Sequence, residues 1–278
     1  MLWAMGAHPV GHRDVRVAAQ APPWAGLVVV AAAAVVITPW TVTASWTWHV
    51  TGAILLTALT LVAITVTGPA PLRTMIYLDV AFVLFASGTH LQWSPVLTTV
   101  LVCLLPLAAL LTGDRVGRPR PGAPWLRLGQ RPDLLLLILA VGTVVVAGAA
   151  LALWTMAVAP AAPPYLAQLQ QYPGWLAILG VIGFALVNPI WEEAMFRGVL
   201  LEDLTAVWRA GPAAAVQAVL FGAAHWAGFP SGSVGMLMAA AWGLVLGILR
   251  LRTHGIVVPY LVHVTANAVI GSLAVILL

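Results

Sequence analysis

The sequence predicts an all-α protein, a polytopic transmembrane helical bundle with eight or nine spans. Of its 278 residues, 62% are hydrophobic and only 7% are charged, which is more apolar than a soluble core of this length requires. Apolar stretches of nearly twenty residues recur along the chain, and each is long enough to cross a bilayer as a helix. A single cysteine, Cys103, excludes a disulfide within the chain.

Nine segments are predicted to be spans, separated by stretches richer in Pro, Gly and polar residues. In order they are 24–40, 50–67, 76–93, 95–112, 133–158, 174–191, 212–227, 234–250 and 257–277. The third contains Asp79 and His90, so the count is eight if that segment is not a span. The sixth is expected to continue as a helix past Arg209 to a turn at Gly211 and Pro212.

The segment 113–132 is rich in Arg, Pro and Gly, and it divides the chain. Residues 1–23 are predicted to be an N-terminal segment, 24–112 a first transmembrane bundle of unknown role, and 133–278 a catalytic transmembrane domain. The 113–132 loop carries five arginines, so the positive-inside rule places it in the cytoplasm, together with the N-terminus. We therefore expect an integral protein of a bacterial plasma membrane with a cytoplasmic N-terminus.

The charged residues are few, and they are not distributed as nucleic-acid binding requires. The formal net charge is +4, but the chain has no lysine and its arginines fall mainly in loops, so no nucleic-acid partner is predicted. An ionisable residue inside a bilayer costs about 2.5–3.5 kcal/mol on insertion scales, and one that occurs there suggests function. Three clusters in the second half of the chain meet this description.

The first cluster is "EEAMFR", which contains Glu192, Glu193 and Arg197. On a helix, the i,i+4 spacing lets Arg197 pair with Glu193, while Glu192 is rotated away and stays free. A plain ion pair near the interface is the structural alternative, but one glutamate would suffice for it. Pro189, just upstream, should remove a backbone hydrogen bond and loosen the helix.

The other two clusters are "FGAAH", with Phe221 and His225, and "HVTAN", with His263 and Asn267. Each pair shares one helical face, and each alone suits simple helix packing. At 1.5 Å per residue, Glu193 lies about 27 Å before the predicted turn at 211–212 and His225 about 20 Å after it. The clusters are therefore expected to converge in the cytoplasmic half of the bilayer.

Two carboxylates, two imidazoles and an amide in one buried pocket suit hydrolysis. A carboxylate and a histidine can take a proton from water, and a second histidine with Asn267 can donate to a developing oxyanion. Glu192, His225 and His263 also match a catalytic zinc pattern if a metal is bound. The sequence has no H-E-x-x-H motif, so Zn²⁺ and a metal-free mechanism both stay open.

The ordered set "EEAMFR", "FGAAH" and "HVTAN" resembles the motifs E-E-x-x-x-R, F-x-x-x-H and H-x-x-x-N of the CAAX prenyl protease and bacteriocin-processing family, also called the abortive-infection family. The resemblance covers 174–275. It implies an all-α intramembrane endopeptidase, usually described as a metalloprotease, whose site opens towards the cytosol. The implied catalytic residues are Glu192, Glu193, Arg197, His225, His263 and Asn267. The implied partners are membrane lipid and a protein or peptide substrate in the membrane.

The alternative is a non-enzymatic membrane protein, either a bacteriocin immunity factor or a proton-coupled transporter that uses the same Glu and His cluster. A transporter predicts inverted repeats with broken helices in both halves, and the sequence shows neither.

The segment "WAGFPSGSVG" after His225 cannot continue a helix, and we expect it to cap the cavity. Asp79 and His90 are interpreted as packing or interfacial residues, and His49 as part of an interfacial aromatic belt.

Overall fold

A computed structural model describes residues 22–41, 45–67, 72–116, 124–160, 172–228 and 231–277. Every regular element in these ranges is helical, which confirms the all-α prediction. A helix satisfies its own backbone donors and acceptors, as an apolar membrane chain requires. Several threonine hydroxyls do the same locally by donating to the carbonyl four residues earlier, as Thr57 does to Ala53 and Thr155 to Leu151.

The helices are α1 (Ala25–Thr41), α2 (Trp46–Val62), α3 (Leu72–His90), α4 (Pro95–Val116), α5 (Leu134–Val158), α6 (Gly174–Glu192), α7 (Leu201–Val207), α8 (Ala210–Ala224), α9 (Gly232–Thr253) and α10 (Val257–Leu277). Wider π-helical turns continue α2 at Ala63–Thr67 and join α6 to α7 at Glu193–Leu200. A short 3₁₀ turn lies at Pro124–Leu126.

Six of the described helical runs are long and apolar enough to cross a membrane, by length and composition. Leu72–His90, the weakest of the predicted spans, is one of the six. Three further described helices are apolar but shorter, at Ala25–Ile37, Leu97–Thr112 and Ala210–Ala224. The protein is thus an integral membrane protein by its helices, and the count of eight or nine spans stays a prediction.

The predicted turn at Gly211 and Pro212 is wrong by three residues. The helix ends before Trp208, whose backbone is extended, and α8 already begins at Ala210. Pro212 therefore lies in the first turn of α8, where its missing N–H removes no helical hydrogen bond.

Small residues allow α8 and α9 to pack closely. A Cβ on Gly222 would lie 2.5 Å from the carbonyl oxygen of Met236, and a Cβ on Gly243 would lie 2.9 Å from the ring of Phe221. A Cβ on Gly247 would also lie close to a side chain of α8. These small residues therefore let the backbones of the two helices approach closely.

The N-terminal half packs directly onto the helix that carries the glutamates. α1 contacts α7 and α8, α3 contacts the π-helix at 193–200, and α4 contacts α6. Thr74 donates to the Asp203 carboxylate through its backbone nitrogen at 3.2 Å and its hydroxyl at 2.6 Å. The Tyr77 hydroxyl donates to the carbonyl of Trp191 at 3.1 Å. Both halves share one hydrophobic core, so the N-terminal helices support the C-terminal helices by packing against them.

The described part of the arginine-rich loop packs against the turn between α9 and α10. The backbone nitrogen of Gln130 donates to the carbonyl of Thr253 at 2.7 Å, and that of Ile256 donates to Arg127 at 2.8 Å. Gly129 has φ +89°, and a Cβ there would lie 2.5 Å from the Cα of Gly255. Only glycine fits this crossing of two backbones.

The polar residues of α2 and α3 pair with one another. His49 Nδ1 lies 2.7 Å from His90 Nε2, and Thr60 donates to Asp79 at 2.8 Å. These contacts support the interpretation of Asp79 and His90 as packing residues. His49 is buried, and its place in an interfacial belt stays a prediction.

Gly222→Ala should destabilise the protein by about 1–3 kcal/mol, because the new methyl group has no room beside the backbone of α9. Thermal unfolding in detergent measures the effect. Gly142→Ala is the matched control, since nothing lies within 4 Å of a Cβ at Gly142. Equal melting temperatures for the two variants would contradict the close α8–α9 crossing.

Candidate active site

A cavity of about 640 Å³ lies among α5, α6, α8, α9 and α10, and most of its lining is apolar. Its polar lining comes from Asn188, Glu192, His225, His263 and Asn267. Each of the three sequence motifs contributes at least one side chain to this wall. The predicted convergence of the motifs is confirmed for these residues.

The two glutamates lie where the helix changes from α to π geometry. Glu192 is the last residue of α6 and Glu193 the first of the π-helix, in which the Leu201 N–H donates five residues back to Phe196. Pro189 was predicted to loosen the helix, and the structure shows a widened helix that continues without a break. Wide turns of this kind are frequent at functional sites. All eight residues of the π-helix are buried.

Arg197 and Glu193 form a fully buried ion pair. Arg197 Nη1 donates to Glu193 Oε1 at 2.9 Å, and the two side chains are 0% and 1% exposed. Arg197 Nη2 donates to the carbonyl of Gly243 at 3.4 Å. The guanidinium carbon also lies 4.2 Å from the centroid of the Phe221 ring, a cation–π contact. The phenylalanine of the second motif therefore supports the arginine of the first.

His263 lies between the two glutamates. Its Nδ1 is 2.7 Å from Glu193 Oε1 and its Nε2 is 3.3 Å from Glu192 Oε2. Glu193 Oε1 also accepts from Arg197, so a proton on His263 Nδ1 points to this oxygen. The second contact is poorly directed: within the described chain, Glu192 Oε2 has no hydrogen-bond partner.

Asn188 is a site residue that the motifs did not indicate. Its Nδ2 donates to Glu192 Oε1 at 2.9 Å, and Trp191 Nε1 donates to its Oδ1 at 3.2 Å. The tryptophan thereby orients the amide so that its NH₂ group faces the carboxylate. The available signal was the i,i+4 spacing of Asn188 and Glu192 in "NPIWE".

His225 caps α8 and does not lie inside a span, which corrects the predicted helix 212–227. Its φ of −96° and ψ of 9° end the helix. His225 Nδ1 lies 2.8 Å from the carbonyl of Phe221, and because a carbonyl only accepts, this nitrogen carries the proton. In the neutral ring Nε2 then has a free lone pair.

Asn267 completes the polar wall of the cavity. Its side chain is 5% exposed, and its Nδ2 has no hydrogen-bond partner among the residues described here. A buried amide N–H without a partner is a donor available to a ligand.

Glu193 and Arg197 do not line the cavity. The prediction that both glutamates reach it is wrong for Glu193, because Arg197 and His263 together engage its Oε1 and bury it. Glu192 is the carboxylate that faces the cavity.

Zinc stays a prediction. Over the described ranges, no group of three or more His, Cys, Asp or Glu side chains is placed to hold a metal ion. Glu192, His225 and His263 line one cavity without forming such a group.

The segment after His225 borders the cavity as expected. Ala227, Gly228 and Gly235 belong to the lining, while Pro230 lies outside the described residues. Ser231 and Ser233 are exposed, so any cap is formed by the glycine-bearing parts of the segment.

Comparison with known proteins supports the reading of the motifs. Residues 173–269 match the model of the Rce1-like family, described as Type II CAAX prenyl endopeptidase Rce1-like. This segment contains all three motifs, and the match confirms the resemblance to the CAAX prenyl protease and bacteriocin-processing family. Neither the comparison with curated proteins nor that with solved structures found a match.

Arg197→Ala should destabilise the protein by about 3–5 kcal/mol, because it leaves Glu193 as an unpaired buried charge. Activity should be lost together with stability, and thermal unfolding in detergent beside a cleavage assay measures both. Arg209→Ala, at an exposed arginine, is the control and should change neither. Lost activity with unchanged stability would instead indicate that Arg197 contacts the substrate.

Proposed function

We propose that this chain, whose residues 173–269 match the model of the Rce1-like family, is an intramembrane endopeptidase. Its substrates are membrane-associated proteins or peptides. The observation that carries the proposal is the convergence of Glu192, His225, His263 and Asn267 on one otherwise apolar cavity.

Glu192 is the general base of the proposed reaction. Asn188 holds its Oε1, while its Oε2 has no hydrogen-bond partner in the described chain. Oε2 accepts a proton from a water molecule, and the resulting hydroxide attacks the carbonyl carbon of the scissile peptide bond.

Asn267 stabilises the tetrahedral intermediate, and His225 assists its breakdown. The Asn267 Nδ2 donates to the oxyanion that replaces the substrate carbonyl. The tetrahedral intermediate then breaks its C–N bond, and the proton held by Glu192 passes to the leaving amine. His225 Nε2 is an acceptor in the neutral ring and a donor when protonated, so it can orient the water or the leaving group.

The apolar remainder of the cavity supports a membrane-associated substrate. Ala147 of α5, Gly180 of α6, and Gly271 and Ala274 of α10 line it, and these small residues leave an apolar channel beside the catalytic group. A hydrophobic part of the substrate can occupy the channel while the scissile bond lies next to Glu192.

Glu192→Gln should lower kcat by about 10²–10⁴-fold, the usual contribution of a general base. The assay is cleavage of a panel of membrane-anchored, fluorescence-quenched peptides by the purified protein. Asp79→Asn is the matched control, because it makes the same carboxylate-to-amide change outside the cavity. Undiminished cleavage by Glu192→Gln rejects this mechanism, and no cleavage by the wild type favours the non-enzymatic alternative.

Asn188→Leu should lower kcat about tenfold or more with little change in KM, since a hydrogen bond to a charged group contributes about 1.5–3 kcal/mol. Steady-state kinetics on the best peptide separate the two constants. An increase in KM at constant kcat would mean that Asn188 binds substrate and does not position Glu192.

A further inference from the structure

A second, smaller cavity of about 160 Å³ lies at the end of the bundle where α7, α9 and residues 124–131 meet. Its wall is polar, in contrast to the cavity of the candidate active site. The charged and polar residues that line it are Arg127, Arg197, Glu202, Thr205, Arg250 and His254.

The wall carries an excess of positive charge. Arg197 is paired with Glu193, and Arg250 Nη2 lies 3.3 Å from Glu202 Oε2. Arg127 has no carboxylate partner within the described chain, and it is close enough to Arg250 for the two like charges to repel each other. An anion between them would relieve this repulsion.

Arg197 connects this cavity with the candidate active site. It is one of the lining residues, and its backbone carbonyl accepts from Arg250 Nε at 3.1 Å. Its side chain is 0% exposed and holds Glu193 at 2.9 Å.

Backbone contacts hold the wall in place. The carbonyl of Arg127 accepts from the Ile256 nitrogen at 2.8 Å, and Arg250 Nε donates to the carbonyl of Arg197 at 3.1 Å. The close crossing of Gly129 and Gly255 keeps residues 124–131 against the end of α9. The cavity is thus shaped before any ligand binds, which lowers the entropic cost of binding.

We propose that this cavity binds a phosphate group, either free or in a lipid headgroup. Guanidinium groups match phosphate oxygens in charge and geometry. Arg127, Arg131, Arg250 and Arg252 cluster at this end of the bundle, as expected at a membrane surface, where lipid phosphates lie. Because Arg197 also holds Glu193, the phosphate would lie one side chain away from the candidate active site.

The test is thermal unfolding of the purified full-length chain in phosphate-free detergent at constant ionic strength. Inorganic phosphate, short-chain phosphatidic acid, short-chain diacylglycerol and acetate are titrated separately. Phosphate or phosphatidic acid should raise the Tm saturably, because a ligand that binds only the folded protein stabilises it. Diacylglycerol and acetate should not. A response at lower concentrations of phosphatidic acid identifies a lipid, and an equal or stronger response to inorganic phosphate identifies the free ion.

Variants connect the response to the cavity. Arg127→Gln and His254→Gln should each weaken the apparent affinity for the phosphate probe severalfold, and neither residue lines the cavity of the candidate active site. Arg131→Gln and Arg252→Gln remove the same charge from exposed neighbours that do not line the cavity, and they should bind as the wild type does. The proposal is overturned if no probe shifts the Tm, if acetate matches phosphate, or if the Arg131 and Arg252 variants lose as much affinity.

Discussion

The buried ion pair between Arg197 and Glu193 sets the geometry of everything around it. Two charges that are fully removed from water are stabilised by good geometry and by further hydrogen bonds to either partner. Here His263 approaches the same carboxylate oxygen, Gly243 accepts from the guanidinium, and the Phe221 ring covers it. These contacts bring α6, α8, α9 and α10 to one point. The contacts that stabilise this one buried charge pair therefore also assemble the site.

The consequence is that two adjacent glutamates have different environments. Glu193 is held by an arginine and a histidine and is withdrawn from the cavity. One oxygen of Glu192 has no hydrogen-bond partner in the described chain, and Asn188 holds the other. The Glu192 carboxylate faces the cavity. A general base must be oriented and must reach the water that it activates, and of the two glutamates only Glu192 lines the cavity. Consecutive residues on a helix point roughly 100° apart, which lets the two adjacent carboxylates face different neighbours.

The first four helices and residues 124–131 support the site from outside. Asp203 and Tyr77 tie α3 to the helix that carries the glutamates, and the Gly129–Gly255 crossing fixes the end of α9. The candidate site residues thus pack against segments without any recognisable motif. A site of defined geometry needs such a surrounding shell, and the N-terminal helices supply part of it.

Local patterns in the sequence determined the helical fold and the main site residues. Apolar length predicts a membrane helix because a bilayer leaves the backbone no other partner, and the i,i+4 spacing of Glu193 and Arg197 predicts their pairing because it depends on one helix alone. Tertiary structure decided the rest: the burial of Glu193 behind His263, the end of α8 at His225, the role of Asn188 and the polar cavity beside Arg127. Each of these depends on contacts between segments far apart in the chain, and spacing within one segment carries no information about them.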